Sequence, residues 1–593
     1  MPDRELVTNT KAFTWDGAGE HTIDLKQMFV VNDKDNKLTV EYTDNPAWLI
    51  LQTLPIIAET NENNALSLAA AYYAGSLGRN IVESVPDFKR VLDLWRQESG
   101  DETSLMSSLQ KNEELKSVVL SETPWLMDAE KEADQKRLLT GFFDESAMEY
   151  RLNDVLTKLK KLQNGDGSFS WWPGMGGNVY MTSTVAEMLV RLNAMIGADK
   201  ETTGMLTSAI DYLGKKMTVE VENLKKAESK GEKNLRPSEL AVTYLYICTL
   251  SGQKLTSQRK AEYDYLVNLL SKQNTGLTIA GKANVAVIMS GSGHSDKAAE
   301  LLRSVKEYSV FNEEMGRYFD TPKAYYSWYD YRIPTQTAVI EALQTITPED
   351  VTTIKEMQRW LLQSKRTQGW DTPLNSVDAV YAFMNGNKDD MFTTVTHQPV
   401  LKVNGSKLEL PKATAALGYV KTSRTGDNMK TFTVEKTSDG MSWGAVYAQF
   451  MQDVTDIAGA SEGMTVKREI MKDGKVLADG AQLAVGDKIK VRITVTASRD
   501  YDFVQIVDKR AACMEPVVQL SGYRGVCYCA QGDNRTGYYF DRMSKGSHIV
   551  EAEYYVDRAG TYSMGTCTVQ CAYSPEYSAR AAAMTISVSE DKQ

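Results

Sequence analysis

No stretch of this chain approaches the roughly 18–20 consecutive apolar residues that span a bilayer, so nothing in it reads as a membrane helix. A positive surplus is missing as well: 67 Lys and Arg stand against 78 Asp and Glu, a formal net charge of −11. Nucleic-acid binding draws on positive surface that displaces counterions from phosphate. With no basic tail here, nucleic acid is excluded as a partner, and the cluster Lys158, Lys160 and Lys161 reads as a solvated helix face. No secretory signal stands at the start. Met1-Pro2-Asp3-Arg4 reads as an added beginning, with the natural N-terminus and any membrane anchor expected upstream. The signatures G-x-x-x-x-G-K-[ST] and G-x-S-x-G are absent. Between residues 45 and 390 there is a single cysteine, Cys248, and a single histidine, His294. Cys248, between Ile247 and Thr249, reads as a core residue, and His294, after Gly291-Ser292-Gly293, as the cap of a helix. These are too few donors for a zinc site. Neither a metal nor a cofactor is expected.

What is there suits a large soluble protein. Hydrophobic residues make up 42% of the 593 positions and charged residues 24%, as in globular domains; the length implies about three to five of them. Leu38, Val40 and Tyr42 alternate as in a half-buried strand. Pro46 then opens a long helical region reaching about Asn385. Ala65 to Leu77 is rich in Ala and Leu, and one charged helix is expected over roughly Ala129–Leu162. Others are expected near 181–195, 203–216, 236–250, 257–272, 295–307, 335–346, 350–364 and 375–384.

This region repeats itself. Trp172 precedes Thr184 and the apolar set Val185, Met188, Leu189, Leu192. Trp328 precedes Thr337 and Val339, Ala342, Leu343, Ile346. Trp370 precedes Ser376 and Val377, Val380, Tyr381, Met384. Each set falls on one helix face, behind a Trp-bearing loop and a hydroxyl residue suited to capping. Leu240, Thr243, Tyr244 and Ile247 repeat the spacing without the Trp. Paired helices with aromatic loops gathered at one end suit an α-solenoid or its closed form, an (α/α) toroid.

After Asn385 the period changes to two. Leu401 and Val403, then Asn404-Gly405, then Leu408 and Leu410 read as a hairpin with a type I′ turn. Trp443, Ala445 and Tyr447, then Ile489, Val491, Ile493 and Val495, then Val550, Ala552 and Tyr554 alternate as strands of one or two antiparallel sandwiches. Ala458–Gly463 reads as the seam. Five of the six cysteines (Cys513, Cys527, Cys529, Cys567 and Cys571) lie in this β-rich part, which suits disulfides and an oxidising compartment. A zinc site built from Cys527-x-Cys529 and Cys567-x3-Cys571 is the alternative, at spacings unlike the usual C-x2-C. The odd count leaves one thiol over.

Several segments together resemble the C-terminal half of the bacterial α2-macroglobulin family, in its Bacteroidetes form. Asn45-Pro46-Ala47-Trp48 through Leu51-Gln52-Thr53-Leu54-Pro55 is similar to the approach to the family's thioester domain, and Tyr72-Tyr73-Ala74-Gly75-Ser76-Leu77 to the helix after its reactive motif. Leu162-Gln163-Asn164-Gly165-Asp166-Gly167-Ser168-Phe169-Ser170-Trp171-Trp172-Pro173-Gly174 resembles its Q-x-x-D-G-S-F-x-W-W loop. Trp443–Tyr447, Arg510–Pro516 and Cys571-Ala572-Tyr573-Ser574-Pro575-Glu576 resemble parts of its last domains. The resemblance implies an α+β multidomain chain. Residues 1–44 and 391–455 would form a CUB-type β-domain, split by a thioester-domain-like (α/α)6 toroid over 45–390. A macroglobulin-type antiparallel β-sandwich would follow over 456–593. It further implies an endopeptidase inhibitor or protease trap rather than an enzyme, acting in the periplasm or on the cell surface, with proteases or other proteins as partners. In the last domain it implies a Cys513–Cys571 disulfide, and with it a pairing of Cys567 with Cys527 or Cys529.

One departure is decisive for chemistry. The family's reactive motif, Cys-x-Glu-Gln, would fall where this chain reads Glu59-Thr60-Asn61-Glu62-Asn63-Asn64-Ala65-Leu66-Ser67. Asn61, Glu62, Asn63 and Asn64 supply neither a thiol nor a glutamine, so no internal Cys–Gln thioester can form and any capture must be non-covalent and steric. Rival toroid enzymes fare less well. The acidic pair Asp389-Asp390 reads as a solvated turn rather than the acid motif of a cyclase. A polysaccharide lyase or glycosidase would draw on Tyr325, Tyr326, Tyr329, Tyr331 and Arg332 around Trp328. Together Trp171, Trp172, Tyr325, Tyr326, Trp328, Arg332 and Trp370 form a candidate binding face for a protein or a glycan.

Overall fold

A computed structural model describes residues 4–43, 47–59, 62–84, 88, 138–272, 276–312, 316–321, 332–363, 372–385, 399–410, 419–437, 441–478, 480, 482–571 and 577–590. The chain forms two compact units, Pro46–Thr394 and the combination of Met1–Asn45 with Val395–Gln593.

The first of these is helical. Among the described residues its helices, numbered along the chain, are α1 Ala47–Ala58, α2 Ala65–Ser84, α3 Glu145–Leu162, α4 Val179–Ile196, α5 Lys200–Ser229, α6 Glu239–Ser251, α7 Ser257–Ser271, α8 Ile279–Gly291, α9 Ser295–Lys306, α10 Arg332–Ile346, α11 Val351–Gln363 and α12 Pro373–Met384. The even-numbered helices pack in sequence, α2 on α4, α4 on α6, α6 on α8, α8 on α10 and α10 on α12, and α12 returns to α2. The ring is therefore a closed toroid rather than an open solenoid. The odd-numbered helices lie outside, each against an even-numbered neighbour.

Burial separates the two sets. The outer helix α9 buries Ala298, Leu301, Leu302 and Val305, one stripe. The inner helix α12 buries every residue from Asn375 to Met384, and α8 is buried on nearly all sides. Helix α8 falls inside the helical region expected from the sequence but is not among the separate helices foreseen there. The expected helix over 129–162 is interrupted, because Asp144 adopts an extended conformation and accepts a hydrogen bond from the Ala147 amide, capping α3; residues 129–137 lie outside the described residues. Helix α5 runs on to Ser229, since Met217 and Val221 continue its buried stripe. The hydroxyls expected as caps sit inside helices that begin earlier. Thr184 donates to the Tyr180 carbonyl, while Asn178 and Thr372 cap α4 and α12. His294 occupies the N-cap position of α9 without a side-chain capping bond, and Cys248 is buried in α6.

In the β unit, strands distant in sequence share sheets. Arg4–Asp16 pairs with Met441–Asp453 along its whole length, and Lys37–Thr43 lies on the other side of that strand, followed by Tyr419–Thr425. A second four-stranded sheet joins Gly19–Asp24 to Thr431–Lys436, Val400–Val403 and Ser406–Lys407. Between the sheets lie Leu38, Val40, Tyr42, Leu401, Val403, Phe432 and Val434. Asn404 and Gly405 have φ of 50° and 77°, as a type I′ turn requires. The C-terminal strands form a seven-stranded and a five-stranded antiparallel sheet around Ile489, Val491, Ile493, Val495, Val504, Ile506 and Phe540. The expected seam contains a strand, Ala460–Glu462, paired with Ser578–Arg580.

No disulfide joins any of the six cysteines, and the sheet order gives the reason. Cys527–Gln531 and Cys567–Cys571 are separated by strands Arg535–Met543 and Tyr501–Lys509. Three strand spacings amount to roughly 14 Å, against the roughly 4.4–6.8 Å between Cα atoms that a disulfide needs. The same separation keeps these four thiols from sharing a zinc ion. Cys571 lies opposite Val504. Cys513 instead follows the far end of that strand, roughly 17 Å along it, and leads into Met514–Pro516 of the other sheet. The expected pairs Cys513–Cys571 and Cys567 with Cys527 or Cys529 are thus replaced by six buried thiols.

Inside this sandwich Arg468 donates to Asp508 Oδ1 at 3.1 Å and to the carbonyls of Gly565 and Ala582 at 2.7 and 2.9 Å. Burial pushes the Asp508 carboxyl up, and Arg468 opposes that shift. Arg468→Ala strands a buried carboxylate and is expected to cost roughly 3–5 kcal/mol, read from the urea midpoint. Alkylation of the denatured chain without reductant is expected to modify all six cysteines; a pair reacting only after reduction would reveal a disulfide.

Candidate binding face and the polar axis of the ring

The loop between α3 and α4 is built from its own polar side chains. Gln163 donates to the carbonyls of Gly167 and Met205 at 3.2 and 2.9 Å. Asn164 Nδ2 donates to Ser168 O, Ser168 Oγ and Ser170 Oγ at 3.0–3.2 Å. Asp166 accepts from the Ser168 amide and hydroxyl at 3.0 and 2.6 Å, which holds its carboxyl below the usual range. Phe169 is fully buried, and its amide donates to Thr182 Oγ1 at 2.8 Å. Phe169-Ser170 pairs with Gly177-Asn178, so Trp171–Gly176 forms the tip of a hairpin. The Met175 amide donates to the Trp172 carbonyl, and Ser170 Oγ to the Met175 carbonyl.

This frame holds apolar surface in solvent. Trp171 and Trp172 are 41% and 40% exposed, and Met175 and Tyr180 beside them are exposed too. Clustered exposed apolar side chains of this kind make the tip a candidate contact surface. Arg332 opens α10 and is partly buried. Tyr325, Tyr326, Trp328 and Trp370 of the expected face lie outside the described residues, as do Tyr329, Tyr331, Asp389 and Asp390.

The same hairpin touches the start of α2, where the Ala65 amide donates to the Trp171 carbonyl at 3.1 Å. Here Asn64 is engaged as a helix cap: its Oδ1 accepts from the Ser67 amide at 2.9 Å, and its Nδ2 donates to Glu62 Oε2 and Ser67 Oγ at 2.5 and 3.0 Å. Glu62 and Asn63 are exposed and Asn64 is buried; Asn61 lies outside the described residues.

A second polar assembly, not foreseen from the sequence, lies on the ring axis. Arg191 of α4 donates to Asp378 Oδ1 of α12 at 2.7 Å and to the Tyr246 hydroxyl of α6 at 2.9 Å. It also pairs with Glu187 at 3.0 Å and with Glu341 of α10 at 3.6 Å. Tyr246 and Tyr381 both donate to Glu341, at 2.7–2.8 Å, and the guanidinium lies over both rings. Burial pushes the Asp378 carboxyl up to about 7, against the pull of Arg191, and pushes Glu341 up as well. Burial alone would lower Arg191, but Tyr246, Glu187, Asp378 and Glu341 around it hold it charged. The signal in the sequence was a lone charge inside each apolar run: Leu189-Val190-Arg191-Leu192, Val339-Ile340-Glu341-Ala342 and Val377-Asp378-Ala379-Val380.

Residues 463–576 match the family model described as the bacterial alpha-2-macroglobulin MG10 domain. In this stretch, then, the chain is similar to a bacterial α2-macroglobulin. No curated protein matches the chain. Among solved structures it is similar to Salmonella α2-macroglobulin reacted with methylamine, at 11% identity and a TM-score of 0.37, over 98% of this chain and 34% of that one. It is also similar to native Escherichia coli α2-macroglobulin spanning domain MG7 to the C-terminus, at 12% and 0.35, over 98% and 82%. A third is E. coli α2-macroglobulin activated by porcine elastase, at 13% and 0.42, over 99% and 46%. The chain thus spans about a third of the Salmonella protein's length.

At Gly167, φ is +91° and an added Cβ would stand 2.0 Å from the Ser208 carbonyl oxygen of α5. Gly167→Ala is expected to cost at least about 1–3 kcal/mol in strain and to displace the Trp tip. Gly165→Ala, with open space around it, is expected to stay within about 0.5 kcal/mol of wild type. Urea titration followed by tryptophan fluorescence compares the two.

Proposed function

We propose that this chain is the C-terminal part of a bacterial α2-macroglobulin-like protease trap, of the Bacteroidetes type, that works without a thioester. The match of residues 463–576 to the MG10 domain carries the reading. The paired N-terminal and later strands and the closed helical ring between them are consistent with a β-domain split by a toroid. The protein acts as an inhibitor rather than an enzyme, outside the cytoplasm, and its partners are proteases.

The absence of the thioester follows from residue chemistry. An internal thioester requires a cysteine thiol beside a glutamine carboxamide, whose nitrogen leaves as ammonia when the sulfur–carbonyl bond forms. Glu59–Ser67 offers no Cys and no Gln, and Asn64 is committed to capping α2. Capture is therefore steric, and the exposed Trp171–Trp172 tip supplies non-covalent contact with a bound protein.

The test uses the full-length natural protein mixed with a broad-specificity protease. Cleavage of a large protein substrate is expected to fall while cleavage of a small peptide continues. Methylamine is expected to add no mass and release no thiol. Equal cleavage of both substrates would remove the trap, and a methylamine adduct would remove the thioester-less mechanism.

A further inference from the structure

Six inner helices leave room at their common axis for few side chains, and here that space is filled by charge. Arg191 on α4 and Glu341 on α10 come from opposite sides of the ring, and Asp378 comes from α12, which closes it. One guanidinium thus faces three carboxyl groups, Glu187, Glu341 and Asp378, from three helices. If all are ionised the cluster carries two uncompensated negative charges, of which Glu187, the most exposed of the three, reaches solvent. Glu341 and Asp378 are buried, and burying an unpaired charge is costly.

We propose that this cluster is a proton-operated latch of the helical ring: the Glu341–Asp378 pair takes up one proton to tighten the ring and releases it to loosen it. The groups that face the pair are known from every inner helix. Tyr73 comes from α2, Glu187 and Arg191 from α4, Tyr246 from α6, and Tyr381 from α12 beside Asp378. Helix α8 adds none, since its lysine, Lys282, donates to Ser304 instead. Tyr73, Tyr246 and Tyr381 are themselves pushed up by burial and stay protonated. The two carboxyls share the guanidinium, so the proton belongs to the pair rather than to either residue.

The sign is opposite to that of an ordinary surface ion pair. In the folded ring burial raises the pair's hold on its proton, with Asp378 pushed up to about 7, from the ordinary carboxyl value near 3.9 when unfolded. Between those values the folded state holds more protons, so stability grows as pH falls from 8 towards 5. The salt-bridged carboxyls Glu262 and Asp350 are held below their usual values; their contributions are lost only below that window.

Hydrogen exchange of the 593-residue chain, corrected for intrinsic rates, reads the latch in peptides from α4, α10 and α12. Protection is expected to rise about tenfold from pH 8 to pH 6. In Asp378→Asn and Glu341→Gln this dependence is expected to flatten, with protection at pH 8 raised towards the wild-type value at pH 6. Infrared difference spectra of the wild type between these pH values are expected to show one buried carboxyl losing its proton. No such band, or a wild-type pH dependence unchanged in both variants, would overturn the latch. Should either variant fail to fold, the infrared measurement on the wild type decides alone.

Discussion

Closure of the inner helical ring is the constraint on which the rest of the larger unit depends. Once α12 returns to α2, the inward side of each even-numbered helix is cut off from solvent and must be apolar or bring its own partners for any charge. Arg191 is the partner. Through Asp378, Glu341 and Tyr246 it joins the neighbouring pair α4 and α6 to the neighbouring pair α10 and α12, which lies far from it along the chain. A buried ion cluster adds little net stability compared with apolar packing.

The end of the ring near the start of α2 carries a different kind of chemistry. A helix start needs an acceptor for its free amides, and Asn64 provides it. Beside it, a hairpin made rigid by Gln163, Asn164, Asp166 and Ser168 presents two tryptophans to solvent. Polar groups are spent inward so that apolar groups can be held outward.

In the β unit the controlling fact is sequence separation. The first strand, Arg4–Asp16, finds its partner in Met441–Asp453, and neither half of that sheet has a core without the other. The C-terminal sandwich needs no such help: one core runs from Met464 to Val588. Its buried Arg468–Asp508 pair is tied by main-chain carbonyls.

Residue patterns alone specified much of this. Period-two alternation marked Leu38–Tyr42 and Ile489–Val495, Asn404-Gly405 marked a turn, and apolar sets at helical spacing marked α4, α6, α10 and α12. The stretch Glu59–Ser67 contains neither Cys nor Gln, which the residues alone make plain. What the tertiary structure alone decided is whatever depends on which distant segments become neighbours. The expected pairing of Cys567 with Cys527 or Cys529 failed because sheet order, not spacing along the chain, sets the distance between these thiols. Arg191, Glu341 and Asp378 looked like isolated charges in apolar runs until ring closure brought them to one axis. Local pattern records the face each residue presents; only closure of the ring determines what that face meets.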